Sequence, residues 1–151
     1  MVERVVVGSL KTNCYIYSSA KKECIIIDPG GDPEGVAARV DVLNMVPVAI
    51  VLTHGHLDHV AAVGLLKASY AARGYPLAVA IHPADRKFLG AKAADAHRTS
   101  LESLDLIDSA IFGDDFPPLP KSDTVLKDGA RVLGMDLEVL ETPGHTPGSV
   151  C

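Results

Sequence analysis

The stretch Val48-Ala49-Ile50-Val51-Leu52-Thr53-His54-Gly55-His56-Leu57-Asp58-His59-Val60 decides how the rest of the chain is read. Its first five residues are an unbroken apolar run of the kind that fills a strand buried on both faces. Three histidines and an aspartate then fall within six residues, 54–59. His54 and His56 are two apart, so on near-extended backbone both imidazoles point the same way, and Gly55 leaves the space between them clear. One ion is within reach of both. Asp58 and His59 follow where the strand gives way to a helix-like apolar run, and adjacent residues at such a bend aim apart, which leaves room for a second ion. Taken singly, each histidine is as well explained by ordinary hydrogen bonding, and Asp58 by capping the next helix. The cluster lacks the paired cysteines and closed spacing of a structural zinc finger.

Upstream, residues 2–7, 13–18 and 23–27 read as three short strands in an antiparallel meander, with Gly8-Ser9 as the first turn. Asp28-Pro29-Gly30-Gly31 breaks the pattern. Asp32-Pro33 then has the form of an N-cap followed by a proline in the first helical turn, and Val36, Val40 and Leu43 keep helical spacing to about Asn44. Pro47 is expected to end that helix. Strand, helix, strand is the order of a layered α/β protein.

Downstream, a helix is expected from about Val60 to Tyr70 or Ala72, stopped by Gly74-Tyr75-Pro76, and residues 77–81 read as another buried strand. Residues 83–89 and 100–111 read as helical, while the polar 90–99 fits an open loop equally well. Residues 113–120 hold three prolines and two aspartates and form an irregular connector, either solvated or folded over the site as a lid. Residues 124–126, 130–133 and 137–140, with a turn at Asp128-Gly129, suggest a second antiparallel meander. No repeat of short period is present, although the two meanders could be related halves.

At 151 residues, 48% of them hydrophobic, the chain is long enough for one domain with a substantial core. A net charge of -5 and the lack of a Lys/Arg-rich run disfavour nucleic acid as a partner. Residues 1–8 lack the features of a signal peptide and no apolar run is long enough to span a bilayer, so a cytoplasmic protein without a membrane partner is expected. Cys14, Cys24 and Cys151 are odd in number and far apart, which fits free thiols in a reducing compartment, each most simply a small buried hydrophobe.

The run Thr142-Pro143-Gly144-His145-Thr146-Pro147-Gly148-Ser149 sets a further histidine in a rigid turn after an expected strand. Prolines and glycines fix backbone directions, as a ligand position requires, though turn chemistry alone accounts for every residue except His145.

Taken together, His54-Gly55-His56-Leu57-Asp58-His59 and the later Gly144-His145 resemble the metallo-β-lactamase superfamily. The 142–149 run, with Thr12-Asn13-Cys14-Tyr15 and Ile27-Asp28-Pro29-Gly30, is similar to its glyoxalase II-like (hydroxyacylglutathione hydrolase-like) branch. The resemblance implies an α/β (α+β layered) fold, an αββα sandwich of which this chain supplies mainly the N-terminal half. That half is a single domain over 1–151 with a mixed sheet, flanking helices and the metal cluster on loops at one sheet edge. His54, His56 and His145 are implied to bind one metal ion, and Asp58 and His59 to contribute to a second. Asp28, together with Thr53, is implied to support the metal loop from behind, an ordinary turn aspartate being the alternative for Asp28. Zinc is the expected cofactor, as one or two ions, with iron and manganese also suited to such ligands.

The implied activity is hydrolysis of a small-molecule thioester, ester or lactone. A metal-bound water attacks a carbonyl that the metal polarises, and Asp58 orients the attacking group. His82 and His97 match no ligand motif and read as surface or hydrogen-bonding residues. Members of the branch continue beyond the Gly-His turn to an aspartate that bridges both metals and to a final histidine, and neither lies before Cys151. An incomplete second site, an exposed apolar sheet face, and self-association or pairing with a missing C-terminal half are therefore expected. Two rival readings remain: a single-iron sulfur dioxygenase of the same superfamily, and a non-catalytic, metal-binding half domain.

Overall fold

Successive residues of a strand point to opposite faces, so a run that is apolar at every position must be covered on both sides. The computed structural model, which describes residues 1–19, 22–103 and 116–151, meets that demand with one mixed six-stranded sheet whose strands lie side by side in chain order. β1 (Val2–Val7), β2 (Thr12–Tyr17) and β3 (Glu23–Ile27) form the expected antiparallel meander. β4 (Val46–Val51), β5 (Ala78–Ile81) and β6 (Thr124–Val125) each run parallel to the strand before them.

The crossovers are helical, as parallel pairing requires. α1 (Pro33–Val42) starts at Asp32, whose carboxylate accepts from the Gly35 amide at 3.2 Å, and it ends where Asn44 turns to φ 53° and Met45 donates back to the Val40 carbonyl at 3.2 Å. The metal-motif stretch forms a single helical turn, α2 (Leu57–Val60), before α3 (Val63–Ala72). On one face of the sheet, Ile26, Ile50, Leu52, Val79 and Ile81 pack with Val36 and Val40 of α1 and Val63, Leu66 and Tyr70 of α3. On the other, Ile25, Ala49, Val51 and Ala80 pack with Leu126, Val132, Met135, Val139 and Val150.

That second cluster corrects one expectation. The face is not bare over β3 to β5, where the chain after β6 folds back across it and leaves Tyr17, Ile27, Val48 and Ala78 half-buried; only toward the β1 edge do apolar side chains, Val2 and Val6, stay exposed. The chain after β6 also departs from the expected meander. Residues 124–125 join the sheet as the parallel strand β6, but 130–132 and 137–139 do pair antiparallel around the Arg131↔Glu138 bridge, with Val139 donating to the Ala130 carbonyl and Val132 to that of Leu137, each at 2.9 Å; a 3-10 turn at Val132–Gly134, in which Leu133 adopts φ 48°, cuts that pairing short, and Glu141↔Val150 forms a second short bridge. Turning there sends Val132 and Met135 into the core instead of along a ladder.

Pro47 does not end α1 but lies inside β4, next to a register shift between Cys24 and Ile25, where a missing ladder donor is tolerated. The expected helix over 83–89 is a 3-10 stretch, Pro83–Phe88. The polar segment after it is helical, α4 (Ala93–Ser103), so the helix expected from 100 begins earlier. Residues 104–111 of that expectation and 113–115 of the irregular connector lie outside the described residues, and 116–120 form no helix or strand. Among the described residues, no helix is long and apolar enough to cross a membrane.

Candidate metal centre

β3, β4 and β5 are parallel, so their carboxyl ends open on one edge of the sheet, the edge where α/β proteins hold ligands. Asp28 follows β3, the 53–59 segment follows β4, and His82 to Asp85 follow β5. The His145 turn reaches the same edge because the Val150 amide donates to the Thr53 carbonyl at 2.9 Å.

His54 is almost fully enclosed, at 7% exposure. The Thr53 hydroxyl gives its proton to Asp28 Oδ2 at 2.5 Å, and the Thr53 amide donates to Asp28 Oδ1 at 2.8 Å. In the 3.1 Å contact between Thr53 Oγ1 and His54 Nδ1, the imidazole must therefore be the donor. This leaves a lone pair on His54 Nε2, an atom that is buried and has no hydrogen-bond partner among the described residues. Such an orphaned acceptor is costly in a folded interior, and a cation would satisfy it.

One ring nitrogen from each of His54, His56 and His145 lies within 4.8 Å of the others. His56 Nδ1 and His145 Nε2 are 2.9 Å apart, and the three rings sit at centroid separations of 4.5 to 5.0 Å. Three imidazoles converging on one point are a donor set suited to zinc or iron, and with the orphaned Nε2 they fit a bound divalent cation. Burial, followed by the neighbouring His59, pushes the His54 pKa down to about 4. Burial and then His145 lower that of His56. Both rings therefore favour the neutral form that a ligand needs.

Asp58 and His59 make a cluster of different character. His59 Nδ1 faces Asp28 Oδ2 at 3.0 Å and its Nε2 faces Asp58 Oδ2 at 3.3 Å, while the Thr12 hydroxyl donates to Asp58 Oδ2 at 2.9 Å. Burial alone would lower the His59 pKa, but the hydrogen bonds to Asp28 and Asp58 outweigh it and lift the ring to about 9. Burial likewise works against ionisation of Asp58, yet His59 and Thr12 bring its pKa down to about 2. Asp58 is thus an ionised partner of His59 and not a helix cap, since His56 stands at the start of α2 and makes no side-chain cap bond. His59 also groups with Asp28 and His54 at ligand distance, in a second set that shares His54 with the first. Gly30 permits this arrangement, because a Cβ there would fall 1.4 Å from the Asp58 carbonyl oxygen.

Sequence reading missed Asp85. It is fully buried, and its Oδ2 accepts from the Gly55 amide at 2.9 Å and from the Thr146 hydroxyl at 2.7 Å, while Oδ1 accepts from the Gly148 amide at 2.9 Å. An acidic residue in the first turn of a helix is ordinary, so nothing local in the sequence marked it. His82 and His97 stand apart from the three-imidazole cluster. His82 Nε2 pairs with Glu141 at 2.9 Å, and His97, which is buried, meets the Phe88 carbonyl at 2.9 Å. A groove of about 460 Å³ opens beside His56 and His145, walled by Phe88, Pro147, Lys87 and the α4 residues Asp95, Thr99 and Ser100.

Relatives share this architecture. Two crystal structures resemble the chain over nearly its whole length: a B3 metallo-beta-lactamase (30% identity, TM-score 0.76, 99% of this chain and 65% of that one) and a protein in a di-iron-bound form (33%, TM-score 0.72, 98% and 64%). A probable metallo-hydrolase of Bacillus subtilis is 31% identical over 97% of this chain and 62% of its own length. A hydroxyacylglutathione hydrolase of Haemophilus influenzae is 30% identical over 99% and 64%. The chain thus spans under two thirds of the length of these relatives. Residues 7–151 match the description of one family throughout, and the chain belongs to the metallo-beta-lactamase superfamily, whose members are chiefly metal-binding hydrolases.

Proposed function

We propose that the protein is a metal-dependent hydrolase of thioesters, or of related esters and lactones, with His54, His56 and His145 as the ligands of its primary cation. The observation that carries this reading is the buried lone pair of His54 Nε2, without a partner among the described residues and set among three converging imidazoles. A divalent cation held there would supply Lewis acidity, polarising a carbonyl and lowering the pKa of a water molecule. Zinc is the first choice of metal, and the di-iron relative makes iron its competitor.

The chain's own residues support the rest of the chemistry. Asp28 accepts from the Thr53 hydroxyl, and Thr53 Oγ1 accepts a hydrogen bond from His54 Nδ1–H, which keeps Nε2 free as a ligand atom. Asp58, ionised and fixed by Thr12 and His59, is a proton acceptor beside the cluster, suited to orienting the attacking nucleophile. Asp58 and His59 also form the part of a second metal site that this chain contributes. In the groove, Phe88 and Pro147 exclude water beside His56 and His145, while Lys87 and Ser100 offer polar contacts for the thiol carrier. Buried Cys14 and Cys24 remain free thiols, which supports a reducing cytoplasmic setting.

The likeness to a hydroxyacylglutathione hydrolase makes hydroxyacyl-glutathione thioesters the first substrates to assay. Turnover that is abolished by chelation and restored by zinc or iron is expected. Wild-type turnover untouched by chelation or by His56→Ala would sink the reading.

A further inference from the structure

We infer that Asp85 is the positioning residue that sets the spacing of the two ligand loops, an inference that rests on reading His54, His56 and His145 as one ligand set. His56 and His145 are 89 residues apart in the chain, on loops that leave different parts of the fold, yet their ring nitrogens stand 2.9 Å apart. Asp85 belongs to neither loop and holds both. A single oxygen, Oδ2, accepts from Gly55, which lies between two of the histidines, and from Thr146, which follows the third; Oδ1 adds Gly148.

The surroundings are shaped around this carboxylate. A Cβ on Gly148 would fall 2.7 Å from Asp85 Cγ, and one on Gly55 would fall 2.1 Å from the Phe88 ring, so both amides reach their places only because glycine stands there. Asp85 is 0% exposed and pairs with no Lys or Arg among the described residues. Burying a carboxylate without a cation is expensive, and among the described residues these three donors offset the loss of water. The other tie between the loops, Val150 to Thr53, lies at the base of the His145 turn and not at the ligand itself. Asp85 therefore fixes where His145 stands relative to His56.

The test compares the wild-type protein with Asp85→Asn, Thr146→Val and Thr146→Ser. In the metal-free protein, the magnetisation transfer between the His56 and His145 rings is read by NMR. Cobalt(II) affinity and the cobalt d–d spectrum are then measured at urea concentrations where each variant is folded. Thr146→Val and Asp85→Asn are expected to weaken or abolish the ring-to-ring contact and to lower cobalt affinity ~10–100-fold, with an altered band, as loss of an outer support does at metal sites. Thr146→Ser restores the hydroxyl and is expected to restore both readouts. A folded Thr146→Val with wild-type ring contact and cobalt affinity would overturn the inference, as would a Thr146→Ser no better than valine. If Asp85→Asn does not fold, the threonine pair decides alone. If the wild-type protein binds no cobalt while the ring contact follows the expected pattern, the functional reading fails and Asp85's positioning role stands.

Discussion

Two clusters share one edge of the sheet and treat a proton in opposite ways. Around His54, burial and neighbouring imidazoles expel it, leaving a lone pair on His54 Nε2 that nothing among the described residues satisfies. Around His59, two carboxylates trap it, and the ring is a cation held between Asp28 and Asp58. The first cluster is the one proposed above to hold a metal ion, and its geometry fits one. The second already holds a proton between its carboxylates, and a metal must displace that His59 proton to enter it. Asp28 is the hinge of the contrast, since its Oδ2 accepts the Thr53 hydroxyl on behalf of His54 and also faces His59.

Removing a ligand breaks the contrast most severely. His56→Ala or His145→Ala is expected to cost cation affinity more than ~100-fold, beyond the range typical of an outer support, whereas His82→Ala leaves it unchanged. Isothermal titration with zinc measures both. Asp28→Ala comes next, at ~10–100-fold, because it releases Thr53, and with it the His54 tautomer, while freeing His59. A variant with wild-type affinity would separate the two clusters that Asp28 is here said to join.

pH sharpens the contrast without mutation. His54 has a folded pKa of about 4, below the ordinary 6.5, so its contribution to stability is present above 6.5 and lost as pH falls through 4. His59 has a folded pKa of about 9, so its contribution is present below 6.5 and lost as pH rises through 9. With chelator present, thermal stability should peak near pH 6.5 and fall on both sides, each flank worth on the order of 3 kcal/mol. A melting temperature flat from pH 4 to 9 would contradict both assignments. The smallest effect concerns Cys14, whose pKa burial and then Asp28 push up to about 12, and Cys24, which burial takes to about 11. Mass spectrometry after alkylation at pH 8 should find modification at exposed Cys151 and at neither buried thiol.

What was legible in the sequence was local or repeated. His54, His56, Asp58 and His59 sit within six residues, and the runs 48–52 and 77–81 that enter β4 and β5 declare their burial by being apolar at every position. His145 was found only together with the first cluster, through the resemblance that the Gly144-His145 turn completes. Asp85 was not, because its meaning lies in donors 30, 61 and 63 residues away. The antiparallel pairing expected between 130–133 and 137–140 is kept as a short hairpin, but burial of Val132 and Met135 goes with a 3-10 turn that ends it early. Pro47 misled for the same reason: proline punctuates a helix in isolation, but here a bulge in β4 accommodates it.

The claim that His54, His56 and His145 hold the first cation can be tested by titrating metal-free protein with zinc while following the histidine ring nitrogens by NMR. The first equivalent should move His54 Nε2, His56 Nδ1 and His145 Nε2 together and leave His82 and His97 in place. A first equivalent that moves His59 while His145 stays unchanged would contradict the account.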